Sequence, residues 1–268
     1  MAIISPDGAI AGMRPPNEII KAATPTLVAG RPHSLFYLAG IPGAAVAPTP
    51  GIGGAVLTSY SGQIPFTNPV SENTYLDRLQ GQATVAGSLL LLDRLWHNSG
   101  ITITSTSEQV FTGSAQIPAR DANGANLGAE IYGAVEVSGA TGAGTPTLTL
   151  KYTNSGGTTG KTATNITATV ASSAIGAFYQ IGLAAGDVGI RRAESLTLSA
   201  TWTSGTIHVV LYRVLARLEL TAANVPNAVD IITGGFARIY DNSVPFLVFI
   251  PSATTASNIT GHVIWTQG

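Results

Sequence analysis

Leu196-Thr197-Leu198-Ser199-Ala200-Thr201-Trp202-Thr203-Ser204-Gly205-Thr206-Ile207-His208-Val209-Val210-Leu211-Tyr212-Arg213 is the stretch that decides the fold class. Its first half alternates leucine with small hydroxyl residues, and its second half is dense in β-branched and apolar residues. Ser204-Gly205 between them provides the residue that a tight connection needs at positive φ. The pattern predicts two strands joined as a hairpin. Working outward, the same period-two signature bounded by Gly, Asn, Ser and Pro recurs at residues 101–106, 129–137, 147–153, 162–170, 236–240, 246–250 and 259–266. About nine short strands with polar turns predict a mainly β fold, an antiparallel β-sandwich of jelly-roll type spanning residues 101–268. No repeat at a fixed period supports a solenoid or propeller.

Upstream the texture changes. Residues 71–100 are expected to form a helical connector. Ser71 stands as a possible cap with Tyr75, Leu76 and Leu79 on one face, and Ser88 caps a second half, Leu89-Leu90-Leu91-Leu92-Asp93-Arg94-Leu95-Trp96-His97. Residues 1–70 carry ten of the fifteen prolines, each removing a backbone donor and steering its predecessor toward extended geometry. This predicts an extended N-terminal arm. Its apolar islands, Leu35-Phe36-Tyr37-Leu38 and Ala55-Val56-Leu57, are too hydrophobic for a free linker. They are expected to dock, either on the chain's own domain or on a neighbouring subunit. The second reading makes Leu35, Phe36, Tyr37 and Leu38 the candidate partner-binding residues.

Composition sets the functional bounds. Charged residues are 10% of the 268, against about 25% in an ordinary soluble domain. So few charges favour a surface partly hidden between subunits. With 13 basic and 14 acidic residues and no basic run, the chain lacks the electrostatic footprint of a nucleic-acid binder. Zero cysteines exclude disulfides, thiolate metal sites and cysteine nucleophiles. The amino terminus has neither the basic nor the apolar region of a signal peptide, so the chain is expected to start at Met1. The most apolar stretch, residues 85–96, is too short for a membrane span and holds Asp93 and Arg94, so no membrane anchor is expected.

Motifs that carry chemistry fail on spacing. Gly156-Gly157-Thr158-Thr159-Gly160-Lys161-Thr162 ends like a phosphate-binding loop, but Ser155 stands where the motif needs its first glycine. A threonine-rich run follows instead of a helix, so a hairpin loop is expected. His33, His97, His208 and His262 lack the spacing of a helical metal site. Asp121-Ala122-Asn123-Gly124-Ala125-Asn126 begins like a calcium loop, but position twelve is Tyr132 rather than glutamate. Asp187, Glu194, Asp230 and Asp241 are the carboxylates that could pair for glycoside hydrolysis. Asn165 and Asn258 open sequons that matter only in a secreted chain, and Arg191-Arg192 is read as a solvated pair. No catalytic residue, cofactor or metal is assigned.

Three segments carry a resemblance: Leu91-Leu92-Asp93-Arg94-Leu95-Trp96-His97-Asn98-Ser99-Gly100, Lys151-Tyr152-Thr153-Asn154-Ser155-Gly156-Gly157, and Tyr240-Asp241-Asn242-Ser243-Val244-Pro245-Phe246-Leu247-Val248-Phe249. In these the chain resembles tailed-bacteriophage virion proteins of the capsid decoration, or cement, type. The resemblance implies a non-enzymatic structural protein made in the bacterial host cytoplasm and built into the virion as a homotrimer. Its implied partner is the major capsid protein or another virion protein. Neck, tail or head-fibre placement is the alternative, as is a receptor- or carbohydrate-binding tail module. A glycosidase or lyase on a β scaffold is the third class.

Overall fold

The computed structural model describes residues 3, 5–22, 24–70, 72–234 and 238–268. In chain order the elements are α1 (Pro6–Ala11), β1 (Asn17–Lys21), β2 (His33–Ser34), β3 (Ala55–Val56), β4 (Thr74–Ala83), β5 (Gly87–His97), β6 (Gln109–Val110), β7 (Ile131–Gly139) and β8 (Leu148–Asn154). There follow β9 (Lys161–Thr164), β10 (Phe178–Ile181), β11 (Ile190–Leu198), β12 (Thr206–Leu220), β13 (Asn227–Asp230), α2 (Ile231–Gly234), β14 (Arg238–Ile239), β15 (Pro245–Pro251) and β16 (Ile259–Gln267). The expected class holds: the chain is mainly β, with antiparallel sheets and only short helices.

A central sheet runs β10-β7-β12-β5-β15-β2, with β3 also on β5. A second runs β1-β16-β4-β13, with β14 also on β4, and a third runs β6-β11-β8-β9. Just beyond β9, Asn165 bridges Ile181, and Gly182 N donates to Thr164 O. The third sheet therefore continues into the edge of the central one, and the two curl together into a half-barrel.

The alternation of side chains along β5 shows how the layers stack. Leu89 and Leu91 pack with Leu76, Leu79 and Val263 of the second sheet. Further along the same face, Leu95 packs with Leu148, Leu150 and Leu196 of the third. The two smaller sheets thus sit side by side on one face of the central sheet. Asp93 lies at the seam, directly opposite Arg213 of β12. The other face presents Leu90 and Leu92, which pack with Val210, Tyr212, Phe246 and Phe36. Tyr37, Ala45 and Tyr60, from the loops of residues 35–64, cover it.

Several expectations are corrected. Residues 74–83 and 87–97 are strands, not helix; Ser71 lies outside the described residues. In β4 burial alternates from Thr74 to Leu76, slips by one residue opposite the irregularity at Ile264/Trp265, then alternates from Leu79 to Ala83. That slip imitates helical spacing. In β5 both faces are covered, so its leucines form a continuous run in which no period is visible. The expected hairpin at Ser204-Gly205 does not form either. β11 belongs to the third sheet, while β12 pairs with β5 and β7. Between them Trp202 is fully buried in the core that joins the two sheets, and its indole N–H donates to Val170 O. Residues 101–106 form no strand, although Ile101 and Ile103 fill the same core.

Residues 1–70 are as poor in long elements as their prolines require, yet they are fastened to their own chain. β1 pairs with β16, β2 with β15 and β3 with β5. Lys21 Nζ donates to Leu38 O and Pro42 O. Leu35 and Phe36, expected at a partner interface, are each 1% exposed inside this chain, and Tyr37 and Leu38 are partly buried. Their apolar surface is already spent on the central sheet. The accessible surface, 10516 Å², matches the roughly 11,000 Å² expected of a compact 27.4 kDa monomer. Such a surface does not accommodate a projecting arm of that length.

Candidate functional site

Chemistry-bearing side chains gather in three places, two buried and one at the surface. The first is the covered face of the central sheet. Arg94 of β5 and Glu136 of β7 are both fully buried and meet at 2.7 Å. Tyr37 Oη donates to Glu136 Oε2 at 3.0 Å, and Arg94 Nε donates to His97 Nδ1 at 3.2 Å. The Arg94 guanidinium lies 4.7 Å from the Phe36 ring centre and 5.6 Å from that of Phe246. His208 takes part through Asn98 O and the Ser138 hydroxyl. Burial pushes His97 down to about 2, helped by the Arg94 charge, and pushes His208 down to about 4. Burial also raises the Tyr37 phenol well above its usual range, with the Glu136 charge beside it. These groups hold neutral imidazoles and a neutral phenol around one dry ion pair. Aromatic rings enclose them, so the cluster pins the loops of residues 35–64 to the sheet and offers no room to a substrate.

The second place is the seam. Asp93 meets Arg120 Nε at 3.3 Å and accepts from Val244 N and Ser243 Oγ. Arg213 donates to Arg238 O and lies 4.9 Å from the Tyr240 ring centre. Alongside, Asp121 is fully buried and accepts from the backbone N–H groups of Asn123, Ala125, Leu127, Gly128 and Ala129. The segment that begins like a calcium loop is thus the reverse of one: backbone donors, not a cation, satisfy its carboxylate.

At the surface, β8 and β9 form the hairpin expected around Gly156–Lys161. Lys161 Nζ stands 3.8 Å from Asp187, which also accepts from Tyr152 Oη and Asn154 Nδ2. Glu194 accepts from Thr153 Oγ1 and Gly160 N, while Asp230 accepts from Ile232 N and Thr233. Each of these three carboxylates is satisfied by its own local donors. Among the described residues no group of three or more His, Asp or Glu is placed to hold a metal ion. No helix is long and apolar enough to cross a membrane among them.

A concavity of about 500 Å³ is bordered by Arg14, Pro16, Pro65, Asn68, Trp265 and Gln267. Trp265 is 3% exposed and its indole N–H is bound to Pro65 O, so its ring face is not offered for stacking. Trp96 and Trp202 are fully buried. Arg94, Arg120, Glu136 and Arg213 went unassigned in the sequence. For Arg94, Glu136 and Arg213 the signal is charge inside an otherwise apolar strand, as in Leu92-Asp93-Arg94-Leu95 or Leu211-Tyr212-Arg213-Val214, which implies a paired buried ion, whereas Arg120 lies in the loop before β7 and carries no such signal. Comparison with family models, curated proteins and solved structures returned no match.

Proposed function

We propose that this chain is a non-enzymatic structural subunit of a tailed-bacteriophage particle, a capsid decoration protein that binds and stabilises the head shell as a homotrimer. One observation carries the physical side of the reading. Seven of the 27 charged side chains, namely Lys21, Asp93, Arg94, Arg120, Asp121, Glu136 and Arg213, are buried as internal fastenings. Only 20 charges remain for 10516 Å² of surface. That surface also carries isolated apolar side chains such as Ile10, Val46, Val70, Ile166 and Val188. A charge-poor exterior on a rigid body suits a protein that keeps much of its surface against sister subunits and a lattice, where several weak contacts on one oligomer multiply. The resemblance in residues 91–100, 151–157 and 240–249 supplies the particle.

The receptor- or glycan-binding alternative is weakened because none of the three tryptophans presents a stacking face. The test is to mix the purified protein with undecorated shells, locate added density by electron cryo-microscopy, and measure subunit number by light scattering. Ordered density on the shell and a trimer are expected. A monomer that leaves shells bare and instead binds host-surface glycans would replace this reading with the alternative.

A further inference from the structure

Beside the β8–β9 hairpin lies a concavity of about 210 Å³, lined by Arg191 and Arg192 of β11, Thr153 of β8, and Gly157 and Thr159 of the hairpin loop. In a regular strand two consecutive side chains point to opposite faces of the sheet. The register explains why both arginines reach one space here. Ile190 opposes Asn154 and Arg192 opposes Thr153, so Arg191 is the extra residue of a β-bulge. A bulge breaks the alternation and re-aims a side chain. The pair that reads as solvated in the sequence is thus gathered at a single place.

Neither arginine forms an ion pair among the described residues, whereas Arg94, Arg120, Lys151, Lys161 and Arg217 each meet an acid. Glu194, two residues beyond Arg192, accepts instead from Thr153 Oγ1 at 2.6 Å and Gly160 N at 3.1 Å. Arg191 is partly exposed and Arg192 exposed, so both can be reached by a solute entering the concavity. Two like charges lining one space repel, and an anion between them turns that repulsion into attraction.

The walls are preformed. Gly157 N donates to Asn154 O, Thr158 N to Asn154 Oδ1 and Ser155 N to Gly189 O. Gly157 has φ +83°, which glycine adopts without strain, and a Cβ there would stand 3.5 Å from Arg191 Nη1. The Arg191 guanidinium therefore lies against the loop. Ile117 N donates to Arg191 O, which fastens the bulge from outside the hairpin.

We propose that this concavity binds a tetrahedral dianion, a phosphate or sulfate group, held between the Arg191 and Arg192 guanidiniums. Charge and donor geometry choose the class. Each guanidinium offers a planar fork of N–H donors suited to two oxygens of one phosphate, and the Thr159 hydroxyl adds a neutral donor. A carboxylate or a phosphodiester brings a single charge, half of what two guanidiniums answer. About 210 Å³ is roughly seven times the volume share of one liquid water, which leaves room for the group and the first atoms of a carrier. Free phosphate and a phosphate ester on a sugar present the same group to the site.

The test is a titration of the ¹⁵N-labelled full chain at constant ionic strength and about pH 8, where a phosphate carries its second charge. Amides of residues 155–160 and 190–193 report binding. Phosphate and sulfate are expected to saturate with Kd on the order of 1 mM, and acetate to bind about tenfold more weakly or worse. Glucose 6-phosphate separates the two sources: tighter binding than phosphate points to an ester, and equal or weaker binding to the free ion. Arg191→Gln and Arg192→Gln should each weaken binding by about tenfold or more, with the melting temperature of Arg192→Gln in place. The double variant Arg191→Lys with Arg192→Lys keeps both charges but loses both forks. It should weaken binding by about threefold or more, and it serves if a glutamine variant does not fold. Arg217→Gln, on the central sheet, should leave binding unchanged. A response that rises without saturating, acetate binding as tight as phosphate, unchanged binding in the Arg191 and Arg192 variants, or an equal loss in Arg217→Gln would overturn the assignment.

Discussion

Replacing Glu136 by alanine should expose how the covered face of the central sheet is held. The substitution removes the partner 2.7 Å from Arg94 and leaves a guanidinium with no solvent exposure. Breaking a buried pair from one side costs about 3–5 kcal/mol, because the remaining charge stays desolvated. Two rings temper this: Phe36 and Phe246 lie 4.7 and 5.6 Å from the guanidinium, and a desolvated cation–π contact is worth about 2 kcal/mol. The lower end, about 3 kcal/mol, is therefore expected, which for a chain of this length corresponds to roughly 6–12 °C of melting temperature. Loss of the Tyr37 hydrogen bond should also free the loops of residues 35–64, so their amides should exchange faster than those of β16. The double variant Arg94→Met with Glu136→Leu should recover most of the loss, since apolar replacement of a whole buried pair is often neutral. Calorimetry and urea unfolding measure both variants. An unchanged melting temperature for Glu136→Ala, or a double variant no more stable than the single one, would refute the view that this pair is an internal fastening.

Asp121→Ala should release five backbone donors at once and cost about 3 kcal/mol or more, with faster exchange at residues 123–129 and no response to added calcium, both readable by NMR and thermal melts. Lys161→Ala should change stability by less than about 1 kcal/mol, because its contact with Asp187 is 3.8 Å long and partly exposed, and the purified protein should show no Lys161-dependent ATP turnover. Trp202→Ala should cost about 3–5 kcal/mol in urea unfolding, since it empties the core joining the central and third sheets. Acidification should destabilise the fold from about pH 6.5 down to pH 4, and His97, held at about 2, carries the loss further down. His33 and His208 are each held near 4 by burial, so across that window the unfolded chain binds more protons than the native one. Melting temperature against pH measures this, and His208→Gln should flatten the slope there.

The class of the fold was legible because β8, β12, β15 and β16 write their burial as clear alternation or as β-branched runs. What was illegible has two physical causes. A strand buried on both faces has no period, which is why Leu89-Leu90-Leu91-Leu92 passed for a helix. A strand that slips register, as β4 does near Asp77-Arg78, imitates one. Sheet membership was hidden as well. Ser204-Gly205 marks a turn correctly, but whether a turn folds a strand back or sends it to another layer depends on Trp202 finding a distant core. Of the buried networks, the charges on strands stood out within apolar runs, yet their partners lie far apart in sequence: Arg94 with Glu136, and Asp93 with Arg120. Residue spacing carries no information about such pairs.

The position of β16 bears on how the chain reaches its native state. β16 lies between β1 and β4, pairing Asn17 with Val263 on one side and Leu79 with Val263 on the other. During synthesis β1 and β4 leave the ribosome long before it, so both wait with open edges until residues 259–267 emerge. Pairings this distant in sequence put all-β chains among the slow folders, on the order of milliseconds to seconds. Waiting edges are also where foreign strands add. The ten prolines before residue 70 limit that hazard around β1, because a proline-rich segment is a poor template for a foreign strand. β4 has no such protection. Its outer residues Asp77 and Arg78 are charges of the kind that natural edge strands carry against mispairing.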